Sequence, residues 1–495
     1  MSNIQQQTFK GSITSYIGLV IAYVYMVKIL PDIVSEDKIG LIRVLAASSA
    51  VFSEFATMGF NSVTTRLFPY FRDEKTKHHG FLLMALLFGA IGFGLFILGY
   101  GVFKPFIIDF YSEKSALFAD YIYLLLPLIC FRMLFSLMDV YLSRGCYDSV
   151  TGTVWVDFGF KTINFAFIIL LWTGIFDFHA YIHAYALALS FPAIPVFIKI
   201  IRKNQFPLRF DFKHLTPKLR KEIITISFYG ILAGQGAVLV TNLDILMLNS
   251  ILGLKATGIY GVCAIFATII KIPFNSLVKA TSPVLAEAWK EEDTNKIQQL
   301  YYKTSINQLI LGILLLIGIW GNIDNIFRIL PESYIEGKWV VILVSVGMLF
   351  TTSTGASIQV ISTSKKYKVL TYLTVGLLLL TVITNLIFIP IWGINGAAIA
   401  TMATYIINAS IRVIYIRVRM GLSPYRWQHL ATLLIAAIAV VPTFFIPFMN
   451  NIFIDIPIRS AIITLIFTTG VISLNLSEDI SRVFKQTLTK LKLIC

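Results

Sequence analysis

"IGLIRVLAASSAVFSEFATMGFNSVTTRLFPYF", residues 39–71, and "TGIYGVCAIFATIIKIPFNSLVKATSPVLAEAW", residues 257–289, decide how this chain is to be folded. Each begins on Gly followed by two apolar residues and reaches Phe-Asn-Ser, as Phe60-Asn61-Ser62 and as Phe274-Asn275-Ser276. Each then runs to Pro or an aromatic ahead of a charged loop. Both are apolar for more than the ~20 residues that a hydrocarbon core about 30 Å thick requires. They read as one membrane-crossing helix used twice, the mark of a fold built from an internal repeat.

Composition puts that helix in company. Hydrophobic residues make up 57% of the 495, charged residues 14%, and mean hydropathy is +0.78, far from the balance of a soluble globular chain. About fourteen apolar runs of spanning length recur: 10–30, 40–65, 80–103, 117–142, 151–172, 180–201, 224–249, 257–286, 305–320, 338–362, 368–390, 395–416, 428–449 and 458–476. The expected class is an all-α polytopic membrane protein. The first run follows "MSNIQQQTFK" with no small-residue cleavage site before "PDIVSEDK", so it reads as a retained helix.

Lys and Arg are retained on the cytoplasmic side of a membrane. The alternate loops "RLFPYFRDEKTKHH", "KIIRKNQFPLRFDFKHLTPKLRKE", "SKKYK" and "RVRMGLSPYR", with the carboxyl tail, hold about 28 of the 41 basic residues, and the opposite set about seven. Both termini are expected in the cytoplasm. Trp172, Trp320, Trp339 and Trp392 then fall at outer helix ends and Trp155, Trp289 and Trp427 near inner ends, where indoles prefer to sit. The net charge of +15 is thereby topological, with attraction to anionic headgroups, and no nucleic-acid partner is needed to explain it. Cys130, Cys146, Cys263 and Cys495 lie in helices or on the reducing side, so no disulfide framework is implied.

The longest basic loop, 199–223, follows six helices, and a second basic connection near 417–427 closes another six. This predicts an N-terminal lobe over 1–221, a second lobe over 222–426, and helices thirteen and fourteen with a tail over 427–495. Helices two and eight hold the same place in each group and run the same way, so the two six-helix lobes are expected to be pseudo-symmetric about an axis along the membrane normal.

Charges at bilayer depth cost a few kcal/mol or more, so each is a functional candidate. Thr268, Lys271, Asn275, Lys279 and Ser282 follow spacings of three, four, four and three and share one face of helix eight. Arg43, Glu54, Thr57, Asn61 and Thr64 lie close to one face of helix two. If both stripes face a central cavity, Lys271, Lys279, Arg43 and Arg132, with Asn61 and Asn275, make it electropositive and suited to an anion such as pyrophosphate. Snorkelling of Lys279 to the headgroups and an interhelical ion pair for Lys271 are the structural alternatives. Arg132, Ser136 and Asp139 share a face of helix four, and Asp157 and Lys161 stand four apart on helix five, the spacing of mutually neutralising networks. Glu54 belongs with these as a structural or ion-coupling acid. Asp244, in "TNLDILML", has no sequence-local partner and is open to either role. Pro273 is expected to kink helix eight beside Lys271.

No "GxxxxGK[ST]" is present, so no nucleotide hydrolysis is expected. His179 and His183 have i, i+4 spacing but no further ligands near, and neither metal nor cofactor is expected. A membrane polymerase or glycosyltransferase would need reactive groups in large outer loops. The largest here, "GNIDNIFRILPESYIEGK", offers Asp324, Glu332 and Glu336 without a paired constellation.

"LPDIVSEDKIGLIRVLAASSAVFSEFATMGFNSVTTRLFPYF", "TNLDILMLNSILGLKATGIYGVCAIFATII" and "IPIWGINGAAIAT" resemble the passages through helix two, helices seven to eight and into helix twelve of the polysaccharide flippases. These O-antigen or lipid-linked oligosaccharide flippases belong to the multidrug/oligosaccharidyl-lipid/polysaccharide exporter superfamily. The resemblance implies two six-helix lobes that open alternately to cytoplasm and periplasm of a bacterial inner membrane. It implies an undecaprenyl-pyrophosphate-linked oligosaccharide as substrate, no covalent chemistry and so no enzyme activity, and membrane lipids, a polymerase and other polysaccharide assembly proteins as partners. Two branches fit less well. The lipid II branch carries cavity arginines in helices one, two and eight, where helix one here has only Lys28 and helix eight has Lys271. The drug-exporting antiporter branch carries an acid within helix one, where none stands between Lys10 and Lys28.

Overall fold

The computed structural model describes residues 14–15, 17–112, 114–148, 150–207 and 215–482, and these are helical with no strand. Every expected spanning run that lies among them is a helix or a stack of short helices. Residues 10–13 of the first run, 208–214 of the basic loop, and the tail with Cys495 lie outside the described residues, as does the side chain of Lys279. Among the described residues ten helices are long and apolar enough to cross a membrane by themselves, and Val238–Leu252 and Leu254–Thr268 are shorter apolar ones.

The chain divides into two compact units, Met1–Gly261 and Val262–Cys495. The first contains α1 (residues 17–33), α2 (Glu36–Ala56), α3 (Phe60–Phe71), α4 (Phe81–Ser112), α5 (Ala116–Gly145), α6 (Val150–Trp172), α7 (Phe178–Arg202) and α8 (Pro217–Leu252). α9 (Leu254–Thr268) begins in it. α2 packs on α8, α5 and α4, and α3 on α8 and α5. A knot of aromatic rings locks α3 to α4 and α5: Phe68 meets Phe81 edge-on at 5.4 Å and Tyr141 at 5.8 Å, and Phe60 meets Phe88 at 5.0 Å. Farther along α4, Leu95, Leu98, Val102 and Phe106 are exposed at spacings of three and four. That stripe suits lipid, since hydrocarbon outside removes any reason to hide Leu.

The stretch expected as helix two is broken. α2 ends at Ala56, Met58 and Gly59 take positive φ, and α3 starts at Phe60. A β carbon on Gly59 would come within 2.2 Å of the Ser227 carbonyl oxygen, so both its backbone angle and its contact with α8 demand glycine. Ser49, Ser53 and Thr57 hydroxyls donate to carbonyls three residues back, which keeps these polar groups satisfied in an apolar surround.

Helix eight is broken as well. α9 stops at Thr268 and α10 (Lys271–Lys290) opens on Lys271. The interruption at Ile269–Ile270 falls one turn before Pro273, at the i−4 carbonyl that a proline ring displaces, and so beside Lys271 as expected. Pro273 sits in the first turn of α10, where a helix has no use for its missing N–H.

The beginnings of α2 and α9 cross at corresponding glycines of the two quoted stretches. A β carbon on Gly40 would lie 2.0 Å from the Leu254 carbonyl oxygen, and one on Gly258 would lie 2.0 Å from that of Glu36. Each glycine thus faces the residue four before the other, a two-fold arrangement of like segments. Gly261, three past Gly258, lies against the side chain of Arg43, three past Gly40.

The second unit continues with α10, α11 (Thr294–Gly321), α12 (Lys338–Ser353), α13 (Val369–Met420), α14 (Trp427–Phe445) and α15 (Ile452–Ser473). α11 begins eleven residues before the expected 305, because its first turns are amphipathic and the Asp293 side chain accepts the Lys296 N–H as an N-cap. α13 is two helices parted at Gly393, with φ of 59°, that turn back on one another, so that the Thr384 and Thr404 hydroxyls meet at 3.1 Å. α14 and α15 bury Ile435, Ala439, Ile463 and Phe467 against Ile306, Ile310 and Ile313 of α11.

Candidate functional site

The polar interior of the first unit is assembled by α1, α2, α5, α6 and α7. Two π-helical turns shape it, Tyr25–Ile29 in α1 and Trp155–Gly159 in α6. An extra residue in a turn re-aims the side chains around it, a device common at functional sites. The first turn buries Tyr25, with its ring stacked on Phe165 at 6.2 Å. The second carries Asp157, whose carboxylate takes a hydrogen bond from the Ser15 hydroxyl at 2.5 Å and stands 3.7 Å from the Lys161 ammonium. The expected Asp157–Lys161 pair is present.

Arg43 and Arg132 converge on the same place. Arg132 reaches across from α5 to the turn of α2 that follows Arg43. Arg132 Nη1 donates to the Ala46 carbonyl and the Ser49 hydroxyl, each at 3.4 Å, while Arg43 Nη2 lies 3.8 Å from Met26 Sδ. Tyr181, fully buried beside them, donates to Asn164 Oδ1 at 3.3 Å. Two cations thus lie within about one turn of each other along α2, in a unit that also buries Tyr25, Tyr181 and Tyr185. Arg132 does not pair with Asp139, seven residues on, as its place on one helix face suggested. Asp139 turns instead toward Gly152, where a β carbon would overlap its carboxylate.

The third member of that face, Ser136, belongs to another cluster. Asn61 Nδ2 donates to Ser136 Oγ at 2.8 Å and reaches Glu54 Oε1 at 3.4 Å, tying α3 to α5 across the break after α2. Glu54 is therefore engaged by neutral donors. Asp244 has a partner that sequence distance hid: the Tyr260 hydroxyl donates to its Oδ2 at 3.3 Å.

On either side of the break Thr268, Lys271 and Asn275 are exposed, and farther along α10 Ser282 is half-buried while Leu285 and Ala288 are buried. Lys271 occupies the first position of α10, where the backbone N–H groups point outward. His179 and His183 are taken up by tyrosine hydroxyls, Tyr121 at 2.9 Å and Tyr123 at 2.7 Å, and no metal-ligating cluster occurs among the described residues.

Sequence reasoning missed three groups. The tyrosines of "HAYIHAYA", Tyr181 and Tyr185, had a signal in their i, i+4 spacing. Asp455 and Arg459 of "FIDIPIR" form a buried pair at 2.8 Å with the same spacing. Arg412 is 6% exposed and gives Nη1 to Asn408 Oδ1 at 2.7 Å, while its Nε and Nη2 find no hydrogen-bond partner among the described residues.

A family model described as "Polysaccharide biosynthesis protein" matches residues 6–289, more than half of the chain. Among solved structures, the lipid II flippase MurJ in an inward closed conformation is similar with a TM-score of 0.71 and 16% identity, over 99% of this chain and 100% of that one. An inward-facing multidrug resistance MATE family transporter of the MOP superfamily is similar with a TM-score of 0.63 and 13% identity, over 83% and 98% of the two chains. No curated protein matches at the level of sequence. The chain has the fold these transporters share, an all-α polytopic membrane fold.

Proposed function

The chain belongs to the polysaccharide biosynthesis protein family, and from that premise we propose that it is a flippase for a lipid-linked oligosaccharide. It moves an undecaprenyl-pyrophosphate-linked oligosaccharide from the cytoplasmic to the periplasmic leaflet of a bacterial inner membrane by alternating access, with both termini cytoplasmic. The cargo serves surface polysaccharide assembly, as lipopolysaccharide O-antigen, capsule or exopolysaccharide. A polymerase and other assembly proteins act on it afterwards, and the flippase itself makes no covalent change.

The observation that carries this reading is the placing of Arg132 against α2 beside Arg43, in a unit that buries Tyr25, Tyr181 and Tyr185 and in a chain whose fold is similar to that of a lipid II flippase. Guanidinium forks and hydroxyls suit the oxygens of a pyrophosphate, whereas cationic drugs would be repelled. Lys271, Lys279 and Asn275 are the proposed substrate contacts of the second unit, and Arg43, Arg132 and Asn61 those of the first. Asp244, Glu54, Asp139, Asp157 and Lys161 are assigned to structural pairing or ion coupling. The crossing of α2 and α9 at Gly40 and Gly258 supports a parallel repeat, with lobes over 1–221 and 222–426 and two further helices over 427–495.

The test is transbilayer movement of a fluorescent undecaprenyl-pyrophosphate oligosaccharide in proteoliposomes, with wild type, Lys271→Ala and Lys271→Arg. Movement lowered about tenfold in Ala and kept in Arg is the expected result. Normal movement in Ala removes Lys271 from the site. A wild type that moves no lipid-linked sugar but exports a cationic dye replaces the flippase with an efflux antiporter.

A further inference from the structure

A second cationic place lies far along the chain from the tyrosine-lined interior, within the second unit. The C-terminal turns of α10 and α13, the start of α11 and the link before α13 enclose a cavity of about 640 Å³, well within the range of small-ligand pockets. Its lining is divided by chemistry. Trp289, Met420 and Leu422 give it apolar walls, and the indole N–H of Trp289 is already spent on the Val360 carbonyl at 3.1 Å. Lys290, Lys365, Lys366 and Arg419 supply four cations against one carboxylate, Glu292.

Two of the four cations are committed within the protein. Lys366 Nζ donates to the Arg419 carbonyl at 2.8 Å, closing the end of α13, and Lys365 stands 3.5 Å from Glu292 while both remain largely exposed. Lys290 and Arg419 have no carboxylate within ion-pair distance among the described residues. The cavity therefore carries an excess of positive charge that the protein itself does not neutralise.

We propose that this cavity binds the phosphate of an anionic phospholipid headgroup. Its links are "SKKYK" and "RVRMGLSPYR", basic loops of the side expected to face the anionic inner leaflet, and basic pockets between helix ends there recognise such headgroups. Tyr367 and Tyr425 on these links and Trp427 at the start of α14, all more than 40% exposed, mark the headgroup level at which aromatic rings collect. The apolar walls receive the glycerol and first acyl carbons, and the lysines and Arg419 hold the phosphate oxygens. The site is separate from the proposed transport path, and its occupancy is readable without any flipping.

The experiment is native mass spectrometry of the full chain released from bilayers of phosphatidylcholine containing phosphatidylglycerol. Wild type should retain phosphatidylglycerol in about tenfold preference to phosphatidylcholine, and the triple variant Lys290→Gln, Lys365→Gln, Arg419→Gln should lose that preference. Arg419→Lys on the wild-type background should keep it, because a point charge remains. Lys218→Gln with Arg220→Gln, exposed charges on α8, should leave retention unchanged. Retention by the triple variant at the wild-type level overturns the proposal, as does an equal loss in the α8 variant, which would reduce the effect to general surface charge. Release of the lipid by millimolar inorganic phosphate as readily as by excess phosphatidylglycerol reassigns the cavity to free phosphate.

Discussion

Replacing Arg459 by alanine is expected to destabilise the fold by about 3–5 kcal/mol, the cost of breaking a buried ion pair from one side. Arg459 is 2% exposed and Asp455, one turn earlier on α15, 0%. Nε donates to Asp455 Oδ2 at 2.8 Å, Nη1 to the Thr443 carbonyl at 2.6 Å, and Nη2 to the carbonyls of Ile446 at 2.8 Å and Pro447 at 3.2 Å. The guanidinium also lies over the Phe448 ring, 4.4 Å from its centroid. The three carbonyls belong to the end of α14, where a helix has no backbone donors left for them. One side chain thus neutralises the acid of α15 and closes the terminus of α14. Without it, Asp455 keeps the neutral Asn325 amide at 2.5 Å, and the carbonyls are stranded. Arg459→Lys should fall between, at about 1–3 kcal/mol, since an ammonium reaches the carboxylate but lacks the fork. The double variant Asp455→Leu, Arg459→Met removes the buried charge but not the stranded carbonyls, so it should recover about half of the single loss. Tryptophan fluorescence during reversible unfolding in mixed micelles measures each value. An alanine variant within about 1 kcal/mol of wild type, or a double variant no more stable than Arg459→Ala, refutes the argument.

Two further outcomes are expected. Gly258→Ala should lower stability by about 1–3 kcal/mol, because its β carbon would lie 2.0 Å from a backbone oxygen of α2 that cannot move alone; an unchanged melting temperature would show that the crossing is loose. Burial pushes the Cys146 thiol up while the Lys203 ammonium partly offsets it. In a Cys495→Ser background, maleimide labelling of Cys146 should be slow at neutral pH and rise about tenfold per pH unit as thiolate forms. Lys203→Ala should slow it further, and a rate flat in pH would contradict the assignment.

Much of the fold was legible because hydrocarbon is an unforgiving solvent. A segment that crosses it must be apolar over its whole length and satisfy its own backbone, so runs such as 80–103 and 151–172 are visible residue by residue. Asp157 and Lys161 were legible for a related reason, since four residues on a helix bring two side chains together wherever the helix goes. Arg132 and Asp139 share a face, but at seven residues they stand two turns apart, and Arg132 is taken by the Ala46 carbonyl of α2 while the Asp139 carboxylate lies against Gly152 of α6. Asp244 was unreadable because its partner, Tyr260, lies on the next helix.

The amino-acid sequence alone determined that the chain is a bundle of membrane-spanning helices, which loops are basic, and that residues 39–71 and 257–289 share the order Gly-apolar-apolar to Phe-Asn-Ser. Those properties are local or periodic, and the bilayer enforces them one segment at a time. The breaks at Met58–Gly59 and Ile269–Ile270, the glycine crossing of α2 on α9, the reach of Arg132 to α2 beside Arg43, and the closure of α14 by Arg459 emerged only once the helices were packed. Each depends on which surface meets which, and lipid does not dictate that, because every apolar face is equally content against it.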